Sequence, residues 1–250
     1  MAVVSLLSQG DVAERRARVE LAATFRLATM MDWHEAVANH FSYALDEHRF
    51  LMNPRWMHFS RIRASDLLLL DMRDPEVMAR PDAPDPSAWC IHSRLHSRHP
   101  HARCVLHLHP PYGTALAGLA DPQILPIDQN TARYFRRVVV DTAFGGIADR
   151  EEEGDRIALM LGQGRRMILG NHGLLVVAPT IAEAWDDIYY LERAARTTML
   201  AYASGQKLAV LSDEVAEMTA QGWEAYTEAA HAHLAEMMRV LDRRGEDYAQ

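Results

Sequence analysis

Residues 102–109 of the chain read ARCVLHLH, and residues 167–178 read MILGNHGLLVVA. We predict three buried strands here, over residues 102–108, 167–169 and 174–177, because each is a short apolar run. The turn Gly-Asn-His-Gly at residues 170–173 joins the last two strands, and its glycines permit positive φ or a close backbone approach. The two stretches thus predict buried strands, the last two of them joined by a tight turn.

Helices and strands alternate on both sides of these stretches. Ser87 is the predicted N-cap of one helix, and Thr180 with Glu183 has capping-box spacing at the start of another. The alternation predicts an α/β layered fold, and 250 residues suit one large domain. Further strands are predicted at 40–44, 49–52, 66–72 and 136–142, and helices at 11–39, 87–99, 111–120, 150–162, 181–204 and 212–242.

The composition excludes several classes of protein. A formal net charge of −8 argues against a nucleic-acid partner. Two cysteines, Cys90 and Cys104, are too few for a disulfide framework. The N-terminus has no basic segment before its short apolar start, and there is no run of 18 apolar residues. We therefore expect a cytoplasmic protein with small-molecule or protein partners and no membrane association.

Three of the histidines have the pattern of metal ligands. His107 and His109 are two apart at the end of a strand, so both imidazoles point to the same face and can reach one cation. His172 lies in the turn of the second stretch and can supply a third nitrogen, as in open catalytic zinc sites. The alternatives are a pair of half-buried polar histidines and a histidine that only decorates a turn.

A second histidine cluster competes with the first. His92 and His96 are four apart on one helix face, and His99 lies close by. A zinc-binding HExxH motif would require Glu after His92, where this chain has Ser93. We expect these histidines to line a substrate pocket or to satisfy a buried hydrogen bond.

Four segments of the chain resemble the class II aldolase/adducin family. They are NHFSYAL at 39–45, FLMNPRWMHFSRIRASDLLLLDM at 50–72, SAWCIHSRLHSRHPHARCVLHLHPPYGTALAGL at 87–119 and MILGNHGLLVVAPTIAEAWDDIYYLERAA at 167–195. The combination of HxH on a strand, NHG downstream and a long helix after it is specific. The resemblance runs from about residue 15 to about residue 205, which leaves residues 206–250 as a helical extension of a single domain.

The resemblance implies a fold and a metal site. The fold is a three-layer α/β/α sandwich around a mixed, largely antiparallel sheet. One divalent metal per chain would be held by His107, His109 and His172, with zinc expected first and manganese, iron or cobalt as alternatives. The resemblance also implies a homotetramer with sites at subunit interfaces.

The chain departs from the family's sugar-phosphate enzymes in two ways. Their catalytic acid falls at Ala88, which cannot move a proton. Their phosphate-binding pieces correspond to Asn39-His40, Arg55-Trp56 and Ser87-Ala88, where the glycines that would let backbone N–H groups cradle phosphate are missing. We therefore expect a non-phosphorylated substrate.

The leading functional hypothesis is a carbon–carbon lyase, either an aldolase or a decarboxylase. Its substrate would be a small hydroxy, oxo or aromatic carboxylate, cleaved through a metal-stabilised enolate. His40, His92 and Tyr112 are the candidates for proton transfer, and Arg55 and Arg94 for carboxylate binding. One alternative is a non-heme Fe(II) oxygenase on the same scaffold, and another is a non-catalytic assembly module like the adducin head domain.

Overall fold

The computed structural model describes residues 9–250, most of which belong to a seven-stranded sheet and the helices on its two faces. The expectation drawn from the N-terminal sequence, that it is not a signal peptide, rests mainly on residues 1–8, which lie outside the described residues. The strands are β1 (His40–Ala44), β2 (Arg49–Met52), β3 (Leu68–Asp71), β4 (Cys104–Leu108), β5 (Val139–Asp141), β6 (Arg166–Leu169) and β7 (Gly173–Ala178). Their order is β3-β2-β1-β4-β7-β6-β5, and only the β5–β6 pair is parallel.

The helices form one layer on each face of the sheet. They are α1 (Gln9–Met30), α2 (Pro86–Arg98), α3 (Pro111–Ala117), α4 (Gln129–Ala132), α5 (Glu151–Leu161), α6 (Ile181–Ala203), α7 (Asp213–Glu224) and α8 (Glu228–Arg243). The longest of them are α1 and α6, and no helix between residues 9 and 250 has the length and apolar character needed to span a bilayer.

Successive side chains of the central strand β4 point to opposite faces of the sheet and so contribute to two separate layers of the core. Leu106 and Leu108 pack with α1 and α6 in one hydrophobic cluster, whereas Val105 packs with α2 and α5 in another. The antiparallel register places His40 of β1 opposite His107 of β4. The predicted three-layer α/β/α fold with a mixed, largely antiparallel sheet is confirmed.

Side-chain caps define where α2 and α6 begin. Asp85 is the N-cap of α2, because its side chain accepts the N–H of Ser87 at 3.0 Å, and Pro86 occupies the first helical position. The prediction of Ser87 as the cap was therefore wrong by two residues. At α6 the predicted cap is confirmed, since Thr180 Oγ1 accepts the N–H of Glu183 at 3.1 Å.

The predicted helix over residues 11–39 was wrong beyond residue 30. The chain leaves α1 at Met30 and turns at Asp32, which has a φ of 58°. Aspartate tolerates this left-handed conformation better than most residues. The turn brings Trp33 against Trp185 of α6, with ring centroids 5.9 Å apart. Burial of two indole rings thus outweighs the continuation of the helix.

The predicted helix over residues 212–242 was also wrong, because it is two helices, α7 and α8. Helix α7 packs on α4, whereas α8 packs on α6 and α1, and one straight helix could not reach both surfaces. The C-terminal extension is further anchored by an ion pair between Arg26 and Asp247 at 2.8 Å and by a hydrogen bond from Ala64 N–H to Tyr248 O at 2.8 Å.

The contact between α2 and α5 depends on Gly154. A Cβ at this position would collide with the carbonyl oxygen of Cys90 on α2. We expect Gly154→Ala to lower the free energy of unfolding by about 1–3 kcal/mol, as overpacking does. Gly222→Ala is the matched control, because a Cβ there meets nothing within 4 Å, and it should stabilise α7 by up to about 1 kcal/mol. Equal urea midpoints for the two variants would contradict the close α2–α5 contact.

Candidate metal centre

The end of β4 and the turn between β6 and β7 bring three imidazoles together. His107 Nε2 lies 3.2 Å from His172 Nε2 and 3.1 Å from His109 Nε2. Gly173 makes this approach possible, since a Cβ there would lie 2.5 Å from Leu108 O on β4. Asn171 turns the chain with a φ of 55°. Among residues 9–250, this is the only cluster of metal-ligating side chains with such geometry.

Two of the three imidazoles have their tautomers set by a partner at Nδ1. His107 Nδ1 lies 3.0 Å from Leu174 O, and a carbonyl oxygen only accepts, so this nitrogen carries the proton. His109 Nδ1 lies 2.7 Å from a carboxylate oxygen of Glu35 and donates to it. In each neutral ring, Nε2 then has a lone pair. Two lone pairs facing each other at 3.1 Å repel unless a cation lies between them.

The spacing of the nitrogens fits a bound metal ion. A tetrahedral zinc ion with Zn–N distances of about 2.0–2.1 Å separates its ligand nitrogens by about 3.3–3.4 Å. The observed 3.1 and 3.2 Å are close to that value. The residues present therefore fit a three-histidine site with a free coordination position, which is the arrangement of a catalytic rather than a structural zinc.

Burial favours the neutral, metal-binding form of His107 and His172. It lowers the pKa of His107 well below the ordinary value, and the neighbouring His172 and His109 lower it further. Burial, with His109 beside it, lowers the pKa of His172 to about 4. A metal ion competes only with protons for these nitrogens, so at neutral pH the site is ready to bind a cation.

A cavity of about 580 Å³ opens in front of the three histidines. One wall is polar and includes Asn39, His40, Asn53, Arg55 and Asp85. The lining also has apolar residues, which include Val37, Ile91, Phe144, Ile147 and Ala148. Such a cavity suits an amphipathic molecule with a polar head near the metal site.

Two of the predicted site residues lie on the polar wall. His40 is opposite His107 in the sheet, and their ring centroids are 4.9 Å apart. Arg55 stacks on Trp56 at 4.1 Å, and its Nε lies 3.5 Å from Asp85 Oδ2. The Arg55 side chain keeps 37% of its exposure, so its remaining N–H groups are available to a ligand.

The second histidine cluster makes hydrogen bonds instead of converging on one point. His92 and His96 both contact Ser42 Oγ, at 2.5 and 2.7 Å. His99 Nε2 lies 2.8 Å from Ala158 O. His92 is fully buried behind His40 and does not line the cavity. This cluster satisfies buried hydrogen bonds, which is one of the two roles predicted for it.

Two other predicted site residues lie away from the cavity of their own chain. Arg94 forms ion pairs with Glu151 and with Asp155 on the outer face of α2 and α5. The backbone N–H of Tyr112 donates to Glu192 at 2.9 Å, and neither Tyr112 nor Arg94 lines the cavity. The structure therefore brings together His40, Arg55 and the three metal histidines, with His92 directly behind them.

Three residues that the sequence analysis did not select take part in the site. Glu35 orients His109, and it escaped notice because the predicted helix extended past it. Asp85 caps α2 and faces the cavity, and the Asp-Pro-Ser run at residues 85–87 could have revealed it as a cap. Asn39 is 3% exposed, and its Nδ2 has no partner in the described chain. Ala88, where a family acid was expected, is buried in the cavity wall.

The contact between Glu35 and His109 makes a testable prediction for metal affinity. Glu35→Gln removes the charge that holds the His109 tautomer, and loss of such a partner weakens metal binding by about 10- to 100-fold. Glu47→Gln, at an exposed position in the hairpin between β1 and β2, is the matched control and should bind zinc like the unchanged protein. The dissociation constants are measured by competition with a zinc chelator. Equal affinities for the two variants would contradict this role of Glu35.

Comparison with known proteins agrees with the fold. A family profile described as Class II Aldolase and Adducin N-terminal domain matches residues 19–199. The chain is 34% identical to a putative aldolase class 2 protein of Caulobacter vibrioides, over 86% of this chain and 83% of that protein. A structure of an aldolase II superfamily protein from Pseudomonas syringae superposes with a TM-score of 0.87 at 29% identity, covering 98% of each chain.

Two further relatives come from Streptomyces. Decarboxylase NovR of Streptomyces niveus is 31% identical, over 73% of this chain and 70% of that protein. A 4-hydroxy-3-prenylphenylpyruvate oxygenase/4-hydroxy-3-prenylbenzoate synthase of Streptomyces roseochromogenus subsp. oscitans is 30% identical, over 73% of this chain and 68% of that protein. Together with the family profile, these matches show that the chain belongs to the class II aldolase/adducin family.

Proposed function

We propose that this protein is a divalent-metal-dependent carbon–carbon lyase, an aldolase or a decarboxylase, that acts on a small non-phosphorylated carboxylate. The observation that carries the proposal is the convergence of three imidazole nitrogens at one end of a cavity with a cationic group, Arg55, on its wall. A divalent cation bound there, zinc in the first place, polarises a substrate oxygen and stabilises negative charge that develops beside it.

The polar wall supplies donors for a carboxylate. Arg55 offers a fork of N–H groups that matches two carboxylate oxygens. Asn39 adds a donor, because its Oδ1 already accepts the N–H of Glu35 at 3.1 Å while its buried Nδ2 has no partner among the described residues. A buried donor without a partner is costly, and a substrate oxygen would satisfy it.

The pieces that would bind phosphate are replaced by groups that do not form a backbone cradle. Ser87 donates its hydroxyl to Asp85 at 2.7 Å, and Ala88 carries no polar group. Arg55 and Trp56 occupy the second of the family's phosphate segments. The apolar part of the cavity lining, with Phe144 and Ile147, favours a substrate with an aromatic or otherwise apolar body. The name of one Streptomyces relative likewise contains an aromatic oxo acid, a phenylpyruvate.

Proton transfer is assigned to His40, with His92 behind it. Tyr112 and Arg94 do not line the cavity of their own chain, so any role for them requires a neighbouring copy. We therefore propose a cytoplasmic homotetramer in which these residues approach a site at the subunit interface.

One relative, whose name includes an oxygenase activity, supports the oxygenase alternative. Non-heme iron sites usually combine two histidines with a carboxylate. Here the nearest carboxylate, that of Glu35, is engaged with Nδ1 of His109 rather than directed at the three Nε2 atoms. The presence of adducins in the family supports the assembly alternative. However, an assembly module does not require three converging imidazoles.

A substrate screen with the metal-loaded protein separates these functions. Hydroxy, oxo and aromatic carboxylates are incubated with and without oxygen, and carbon dioxide and aldehyde or ketone products are measured. We expect release of a product at equal rates in both atmospheres. Turnover that requires oxygen would replace the lyase by the oxygenase, and no turnover of any carboxylate in either atmosphere would favour the assembly module.

The carboxylate-binding role of Arg55 predicts a specific loss. Arg55→Ala should lower kcat/KM by roughly 10- to 100-fold, because a hydrogen bond to a charged group contributes about 1.5–3 kcal/mol. Arg49→Ala is the matched control, since Arg49 pairs with Asp46 in the hairpin turn and does not line the cavity. Equal kinetics for the two variants would show that the carboxylate binds elsewhere.

A further inference from the structure

A chain of four hydrogen bonds runs from the cavity wall into the interface between β1 and α2. His40 Nδ1 lies 2.8 Å from His92 Nε2, and His92 Nδ1 lies 2.5 Å from Ser42 Oγ. Ser42 Oγ lies 2.7 Å from His96 Nε2, and His96 Nδ1 lies 2.7 Å from Ala102 O. Each residue in this chain is at least nine-tenths buried, so solvent does not supply alternative partners.

The spacing of these residues in the sequence explains how the chain of hydrogen bonds forms. His40 and Ser42 are two apart on β1 and therefore point to the same face of the sheet. His92 and His96 are four apart on α2 and therefore share a helix face. Helix α2 covers that face of β1, so the two pairs interleave. None of these residues belongs to the metal triad, although His40 packs beside His107.

The backbone carbonyl at the inner end fixes the direction of every bond. Ala102 O can only accept, so His96 carries its proton on Nδ1 and its Nε2 accepts. The hydroxyl proton of Ser42 is then given to His96, which leaves Ser42 Oγ as the acceptor for His92. His92 must donate from Nδ1, and its Nε2 accepts from Nδ1 of His40.

The outer end of the chain is therefore a lone pair. With its proton on Nδ1, His40 presents an unprotonated Nε2, and this nitrogen has no partner among the described residues. The opposite direction would require His96 to carry two protons. Burial lowers the pKa of His96 to about 4, so the doubly protonated form is scarce at neutral pH.

We propose that the chain through His92, Ser42 and His96 holds His40 as a hydrogen-bond acceptor toward the cavity, and that the site thereby selects a carboxylate that also carries a hydroxyl group. The hydroxyl donates to His40 Nε2, while the carboxylate binds the donors on Arg55 and Asn39. His40 contacts the substrate in this assignment, whereas Ser42 and His96 are positioning residues. The substrate part of the proposal rests on the lyase function proposed above, but the tautomer does not.

The tautomer of His40 can be measured without any substrate. The full-length protein is labelled with ring-15N histidine, loaded with zinc and examined by nitrogen NMR at neutral pH, with His40 assigned from a His40→Gln sample. We expect the proton of His40 on Nδ1. A proton on Nε2 in the unchanged protein would overturn the proposal, and this measurement depends on no variant that has to fold.

A pair of variants tests whether the chain of hydrogen bonds sets the tautomer of His40. Ser42→Ala removes the acceptor for His92 Nδ1, so His92 should move its proton to Nε2 and donate to His40, which then carries its own proton on Nε2. Ser93→Ala is the matched control, because it removes a buried serine hydroxyl on α2 that donates to Trp89 O at 2.6 Å and takes no part in the hydrogen-bond chain. It should leave His40 unchanged. Bound zinc per chain confirms that both variants are folded at the site.

Selectivity for a hydroxyl group is tested with two aromatic carboxylates, mandelate and its deoxy analogue phenylacetate. Calorimetry on the zinc-loaded protein should show tighter binding of mandelate, and Ser42→Ala should reduce that preference by about three- to tenfold, the effect of one neutral hydrogen bond. Ser93→Ala should retain the preference. An unchanged preference in Ser42→Ala would overturn the assignment, and so would an unchanged His40 tautomer. A lyase screen without turnover would refute the lyase function but leave the tautomer result intact.

Discussion

The mutual repulsion of imidazole lone pairs is the constraint on which the rest of the site depends. Leu174 O and the Glu35 carboxylate accept hydrogen bonds from Nδ1 of His107 and His109, so in the neutral rings the two Nε2 lone pairs face each other 3.1 Å apart. A cation between the nitrogens turns this repulsion into coordination. The fold brings His172 to the same point through the close approach of Gly173 to β4.

Strand β4 connects the metal site to the rest of the cavity. Its pairing with β1 places His40 beside His107, and its pairing with β7 places the His172 turn at the same edge. We propose that two complementary groups face one cavity: a cation held by the three histidines, which would attract oxygen ligands, and the His40 imidazole, which accepts a hydrogen bond. Hydroxy carboxylates can bind to both, which is why we expect the site to favour them over simple acids.

Local patterns were sufficient to predict those parts of the site that depend on local geometry. Histidines two apart at a strand end must share a face, and the hairpin at 40–44 and 49–52 has the predicted bounds. That His172 binds the same metal as His107 and His109 is implied by the family resemblance. Sequence periodicity alone does not predict it. The absence of the family's catalytic acid at Ala88 could also be predicted from the sequence alone, because alanine has no group that exchanges a proton.

Other parts of the site depend on tertiary contacts that leave no local signal. Glu35 reaches His109 only because α1 ends at Met30, and burial of Trp33 against Trp185 decides that end. Ser42 reads as an ordinary strand residue until α2 lies over it. Neither periodicity nor capping pattern shows where Arg94 points, and its ion pairs with Glu151 and Asp155 direct it away from the cavity.

Metal content measures the central constraint most directly. Elemental analysis of protein purified without chelator, beside a His107→Ala/His109→Ala variant of equal thermal stability, counts ions per chain. We expect about one divalent ion per chain, zinc or a similar metal, and its loss in the variant. An unchanged protein that remains free of metal after incubation with zinc, manganese, iron and cobalt would contradict this expectation.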